Sequence, residues 1–332
     1  MEITESPARP PVDWPGLDGV ARRRFRLMVV GDVRIEARTT LPDLRFTDLD
    51  ADRLVYAPTR AVVAGTAVNL ARRASGYFRR VAVLARVGDD DYTRVIRREL
   101  RRLGLRDLLR VEAGSPNGVT LMVRDGPPPG PPPGAAAGDA GGGRRGVRLL
   151  VADEDTANRR LSVADVRGAA AEIRRADVLF LDGYPLLSAV SRAALGEAAA
   201  IARRRGTAVA FDLVPHDIDA RLPAAEVLPL MNLADIVITE VPTIARLLGR
   251  PAATTSGETR ELLPVLDEAV DGRPLWLLRF GASALEHTLA YQRDGLLLEY
   301  PTGYAQGVQR TGYGDRLAAG ELYWWLAVRD AR

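Results

Sequence analysis

The chain has 332 residues, 47% apolar and 27% charged, with a formal net charge of +3; this is the profile of a globular protein. It contains neither cysteine nor lysine, which excludes disulfides, thiol nucleophiles, thiolate metal ligands, Schiff-base lysines and a P-loop lysine. Two histidines, His216 and His287, are too few for a multi-histidine metal centre.

The pI near 9.4 reflects the high pKa of arginine, the residue type behind all 46 basic side chains. The arginines interleave with 43 carboxylates, as in Arg97-Arg98-Glu99-Leu100-Arg101-Arg102. That pattern marks a solvated helix face rather than a nucleic-acid surface. No apolar run is long enough for a bilayer, and Met1–Arg24 lacks the order of a signal peptide. The expectation is a cytoplasmic protein with no nucleic-acid or membrane partner, its first 24 residues a disordered tail.

From there the apolar runs alternate between strand and helix. Phe25–Val30 is a buried strand ending in Gly31-Asp32. Strand-like pieces follow at Arg34–Thr40 and Arg53–Ala57, then a helix over Thr66–Gly76, a strand over Val81–Val87 and a helix over Tyr92–Leu103. Gly118–Arg124 and Gly146–Ala152 read as paired alternating strands around a Pro/Gly/Ala segment, Gly126–Gly146, too poor in apolar residues to fold. Helices are predicted at Val163–Arg175, behind a Ser162/Asp165 capping box, at Ser191–Arg205, and through Leu248 with Pro242 in its first turn. Between them lie the strands Asp177–Leu181, Ala208–Leu213 and Asp235–Thr239, and Arg316–Val328 closes the chain as a helix. The alternation predicts an α/β fold: a mostly parallel central sheet with helices on both faces, beside which strands within 34–63 and 117–153 make a small separate sheet.

Two motifs carry chemistry. In Thr311-Gly312-Tyr313-Gly314-Asp315 a Gly-x-Gly turn opens a helix, so backbone N–H groups and the helix dipole face an anion, and the carboxylate can take a proton from an attacking hydroxyl. A plain tight turn before a helix is the competing reading. In Ala64-Gly65-Thr66-Ala67-Val68-Asn69, small residues permit close approach at a helix start and Asn69 offers a donor and an acceptor; packing accounts for the small residues equally well.

Together, in this order, the motifs resemble the PfkB or ribokinase family of carbohydrate and nucleoside kinases. Ala61–Leu105 is similar to its Gly-Gly-x-x-x-Asn segment and Arg-Val-Gly-Asp-Asp strand end, and Gln309–Leu322 to its Asp-Thr-Thr-Gly-Ala-Gly-Asp-Ala-Phe signature. The resemblance implies transfer of the γ-phosphate of ATP, carried with Mg²⁺, to a hydroxyl of a sugar or nucleoside. Asp315 matches the general base, and Thr311, Gly312, Tyr313 and Gly314 the anion hole. Asp32, Glu36, Gly65 and Asn69 match substrate-side positions, and Glu240, Arg279, Gly281 and Arg310 nucleotide-side ones. Asp212 matches the acidic start of the family's Asp-Pro-Asn segment. The small sheet resembles a lid that often pairs two subunits, which implies a homodimer.

The chain departs from the pattern where the signature's leading Asp-Thr becomes Gln309-Arg310, so the family's monovalent-cation site loses a ligand. The Asn-x-x-Glu segment becomes Glu240-Val241-Pro242-Thr243, the second glycine of Gly-x-x-Gly becomes Ala284, and only Arg316–Arg332 follows the base. These departures keep open an alternative: a degenerate protein of the same fold that binds a ligand or partner without phosphoryl transfer.

Overall fold

The computed structural model describes residues 23–41, 44–50, 52–125, 147–215, 217–293, 295–304 and 311–330. Most of the predicted N-terminal tail, the Pro/Gly/Ala segment, Gln309 and Arg310 lie outside them. In chain order the strands are β1 (Arg26–Val30), β2 (Arg34–Thr40), β3 (Thr59–Ala64), β4 (Arg80–Leu84), β5 (Arg86–Val87), β6 (Arg106–Asp107), β7 (Arg110–Val111), β8 (Val119–Arg124), β9 (Arg148–Ala152), β10 (Val178–Asp182), β11 (Ala208–Leu213), β12 (Ile236–Glu240), β13 (Leu275–Phe280), β14 (His287–Gln292) and β15 (Leu296–Pro301). The helices are α1 (Thr66–Ala74), α2 (Asp91–Arg102), α3 (Val163–Gly168), α4 (Ala170–Ile173), α5 (Ala189–Arg203), α6 (Ala224–Met231), α7 (Val241–Leu247), α8 (Ser256–Ala269) and α9 (Tyr313–Asp330).

Strands such as β10 (VLFLD) and β13 (LWLLRF) are apolar along almost their whole length because both of their faces are covered. They belong to a sheet of order β15-β14-β13-β12-β11-β10-β1-β4-β6, parallel from β6 to β13 and antiparallel at β14 and β15. Side chains alternate between two cores, as the pleat requires. Met28 and Val30 pack with Leu195 and Ala198 of α5, whereas Leu27 and Val29 pack with Val68 of α1 and Leu322 of α9. On that second face Tyr323 meets Phe25 and Phe78 edge-on, each with ring centres 5.4 Å apart. This aromatic cluster fixes α9 against α1 and so places its first turn.

The second sheet, order β3-β2-β8-β9, stands apart from the first. Thr120 and Met122 are buried on one side of β8, and Leu121 is exposed on the other, beside Val151 of β9.

Several elements differ from the sequence expectation. The strand expected at Arg53–Ala57 forms instead at β3, beyond Pro58, which cannot donate to a ladder. The strand expected over Val81–Val87 divides at Ala85, since β4 pairs with β1 and β6 while β5 turns to β7. The helix expected over Val163–Arg175 divides into α3 and α4 near Gly168, where a Cβ would sit 2.9 Å from Nη2 of Arg110. Its capping box forms as expected, with Ser162 accepting from Asp165 N–H. The last helix begins at Tyr313, inside the glycine motif rather than after it. No helix among the described residues is long and apolar enough to cross a membrane.

Candidate functional site

In the main sheet β1 has β4 on one side and β10 on the other, and the chain progresses outward from it in both directions. Such a reversal opens a crevice at the carboxyl ends of the strands. The polar residues of the strands collect at this edge: Asp32 just after β1, Asp182 ending β10, Asp212 near the end of β11, Glu240 ending β12 and Arg279 near the end of β13. Asp182 lies in register with Asp212, and Glu240 with Arg279.

The glycine motif faces this edge from α9. Gly312 has φ +79°, left-handed backbone natural to glycine, and Arg316 N–H closes on its carbonyl at 3.2 Å. Asp315 is half-buried in the first turn of α9, where the helix dipole favours negative charge. Burial nevertheless pushes its pKa up to about 7; Asp182 adds to the rise, and Arg279, Arg73 and Arg72 oppose it. Asp182 is raised to about 8, by burial and then by Asp32. Asp212 is raised to about 7 by burial, with Arg279 opposing and Asp315 and Glu321 adding. Three carboxyls thus titrate near neutrality at one strand edge, a property concentrated at functional sites.

Beneath the turn lies Arg279, 4% exposed. Its Nη2 donates to Oε2 of Glu321 on α9 at 3.0 Å. Burial opposes the guanidinium's charge, but Glu321 and Asp212 outweigh it and hold the pKa above the ordinary arginine value. The nucleotide-side expectation for Arg279 therefore meets an internal ion pair rather than a side chain open to the cleft. Gly281 follows at φ +112°, where any Cβ would overlap the Glu286 carboxylate. Ala284, in the place of the expected second glycine, adopts φ +59°.

The other end of the crevice is built by the loop after β1 and the small sheet. Gly65, at φ +94°, precedes α1, and a Cβ there would overlap the carbonyl of Asp32; glycine is what lets α1 start against that loop. Asn69, one turn on, accepts a 3.2 Å bond from Arg72. Asp32 is buried with both carboxylate oxygens engaged: Asn158 donates to Oδ1 at 2.6 Å and Arg34 to Oδ2. Its backbone N–H donates to Asp182 at 2.8 Å. Arg34 also donates to Thr120 at 2.8 Å and lies 5.5 Å from the centre of the Tyr184 ring. Glu36, also buried, accepts from Arg38 at 2.7 Å. Across the crevice, Oγ1 of Thr311 is 3.7 Å from Sδ of Met122, so the small sheet reaches the glycine turn.

No protein-family model matches the chain, and no curated protein matches it either. Solved structures do. Adenosine kinase from Sinorhizobium meliloti superposes with a TM-score of 0.70 at 18% identity, over 92% of this chain and 88% of that one. Arabidopsis thaliana ribokinase complexed with ribose and ATP gives 0.66 at 17%, over 91% and 86%. Xylella fastidiosa fructokinase with bound ATP gives 0.67 at 17%, over 91% and 81%. The fold is ribokinase-like.

Within this ribokinase-like frame Asp315 feels the charge of Asp182, Asp182 accepts from the backbone of Asp32, and Gly65 packs on the Asp32 carbonyl, while Asn69 follows in α1 and Glu36 lies on β2. Arg310 is outside the described residues. Arg34, Asn158 and Glu321 were not singled out in the sequence, because their partners lie 2, 126 and 42 residues away and only the fold, or a short side-chain turn, joins them. The one signal for Glu321 was its spacing: it falls seven residues after Gly314, on the same helix face.

Proposed function

We propose that this chain is a kinase of the PfkB or ribokinase family, transferring the γ-phosphate of ATP to a hydroxyl of a sugar or nucleoside-like molecule. The observation that carries this reading is Asp315 in the first turn of α9, directly after the Gly312-Tyr313-Gly314 turn and at the carboxyl edge of the sheet, with its pKa pushed up to about 7. A base poised near the working pH combines a useful deprotonated fraction with the strongest proton affinity compatible with it. The Asp315 carboxylate takes the hydroxyl proton as the acceptor oxygen bonds to phosphorus and the bond to the β-phosphate oxygen breaks. The N–H groups of the turn and the dipole of α9 stabilise charge on the phosphoryl oxygens.

The phosphates of the nucleotide would lie at the glycine turn, where Gly312 takes φ +79° and the first turn of α9 begins at Tyr313. Mg²⁺ keeps several waters and binds through one or two carboxylates plus phosphates; Glu240 at the end of β12 is the carboxylate that would hold it. When bound, the ion neutralises charge on the β- and γ-phosphate oxygens. Asn69, Glu36 and the Arg34–Asp32 pair bind and orient the acceptor, and the small sheet excludes water as a lid. Gly281, whose φ of +112° brings the loop after β13 against Glu286, lies on the nucleotide side.

Binding to the folded state raises the melting temperature by mass action. ATP with magnesium at millimolar concentration is therefore expected to raise it, in the wild type and in Asp315→Asn alike. No shift in either protein contradicts a nucleotide site here.

A further inference from the structure

Residues two apart on a strand share a face, so Arg34, Glu36 and Arg38 of β2 point to one side of the small sheet. Thr120 and Met122 of β8 share that side, because Glu36 is in register with Thr120 and Arg38 with Met122. It is the side turned to the crevice. Met122 reaches Thr311 of the glycine turn, and Arg34 reaches Asp32 and the Tyr184 ring beside the ends of β1 and β10. Arg124 and Arg148, in register with each other, stand on the same side, and the charge of Arg148 is felt at Tyr184.

The acceptor atoms of this side are largely taken by the chain itself. Asp32 is 2% exposed, with Asn158 and Arg34 on its two oxygens. Oδ1 of Asn69 accepts from Arg72, and Oε2 of Glu36 from Arg38. What stays open is a donor. Arg34 keeps 17% of its side-chain surface exposed. Its Nε donates to Asp32 and its Nη1 to Thr120, whereas its Nη2 has no partner among the described residues and is not sealed from solvent. A neutral polyol is held best by oxygens that accept from its hydroxyls. A guanidinium fixed at two nitrogens with its third open is matched instead to an oxyanion, since a charge-assisted bond is about twice as strong as a neutral one. Oε1 of Glu36, also without a partner among the described residues, can still accept from one hydroxyl.

We infer that the acceptor is an oxyanion-bearing polyol, a sugar acid or a sugar phosphate, and that Arg34 binds its anionic group and distinguishes it from neutral sugars and nucleosides. Asp32 positions Arg34. This rests on the kinase reading for the transfer itself, but not for the anion site.

Arg34→Met alone strands Asp32 as a buried charge, so the test variant is Asp32→Asn/Arg34→Gln, which removes both charges and keeps a hydrogen-bonded pair. Calorimetry compares aldonates with their parent aldoses, and hexose 6-phosphates with the free hexoses, with magnesium and a non-hydrolysable ATP analogue present to fill the glycine turn. The wild type is expected to bind a member of one anionic series about tenfold or more tightly than its neutral counterpart; which series does so separates a carboxylate from a phosphate. The folded double variant is expected to lose that preference. If it fails to fold, Arg34→Lys, which keeps the charge beside Asp32 but gives up the open Nη2, is expected to lose most of it. A wild type that prefers the neutral members or binds no anion, or a folded variant that keeps the preference, overturns the inference. Anion binding through Arg34 with no acceptor phosphorylated leaves the anion site standing and removes the kinase reading, whereas phosphorylation of neutral sugars alone does the reverse.

Discussion

If Asp315 is the base, the pH dependence of transfer follows from its surroundings. A solvated aspartate titrates near 3.9, whereas burial and then the charge of Asp182 carry Asp315 up to about 7, against the pull of Arg279, Arg73 and Arg72. Well below that value the fraction of competent base falls tenfold per pH unit, so kcat/KM is expected to drop by about 50-fold between pH 7, where half the base is deprotonated, and pH 5. Arginines do not titrate in this range, whereas the neighbouring carboxyls and the terminal phosphate of ATP do; the phosphate's limb is the same for every variant. Asp212, also near 7, is separated by Asp212→Asn: the limb persists but moves to lower pH, because a negative charge beside Asp315 is gone. The assay is ADP release at subsaturating acceptor from pH 4.5 to 8.5, with circular dichroism at each pH to confirm folding. A profile flat from pH 5 to 8 in a folded protein refutes the assignment of Asp315 as base.

Other consequences concern stability. Asp182, Asp212 and Asp315 all have folded pKa values above their unfolded ones, near 8, 7 and 7. Their protonated forms favour the fold most fully below about pH 4. That contribution is lost as pH rises to 8, so urea midpoints are expected to fall over this window; midpoints rising from pH 5 to 8 would contradict it. Gly65→Ala forces a Cβ onto the Asp32 carbonyl at φ +94°, and a loss of about 2 kcal/mol or more in urea unfolding is expected from strain and overpacking together. Removing the Tyr323 ring with Tyr323→Ala takes away both edge-on contacts that seat α9. A loss of about 3–5 kcal/mol is expected in the same assay, with a loss smaller than 1 kcal/mol showing that α9 is seated otherwise.

The sequence disclosed the elements whose local pattern agrees with their final place. β1, β10 and β11 are short apolar runs that end in a turn or an acid, and α2 begins at Asp90, whose side chain caps Tyr92 N–H. It was silent on α6 and α8, because Pro229 and Pro264 lie inside them and interrupt the helical pattern that tertiary packing restores. The β14–β15 hairpin was missed as well, its strands half-polar at one edge of the sheet. In the site, the glycine turn and Asp315 were contiguous and therefore readable. What is done by contact across the fold was not: Asp182 joins the others only when β10 settles beside β1, and Arg279 meets Glu321 only when α9 lies under the end of β13. Asp32 showed the converse limit. Its position was legible, but not that Arg34 and Asn158 already occupy its oxygens.

The most direct test is mass-spectrometric detection of a phosphorylated product when the protein is incubated with ATP, magnesium and a panel of sugars and nucleosides. The account predicts one phosphoryl group on an acceptor hydroxyl with the wild type, and none with Asp315→Asn, which still folds and still binds nucleotide. Product formed equally well by Asp315→Asn would contradict it.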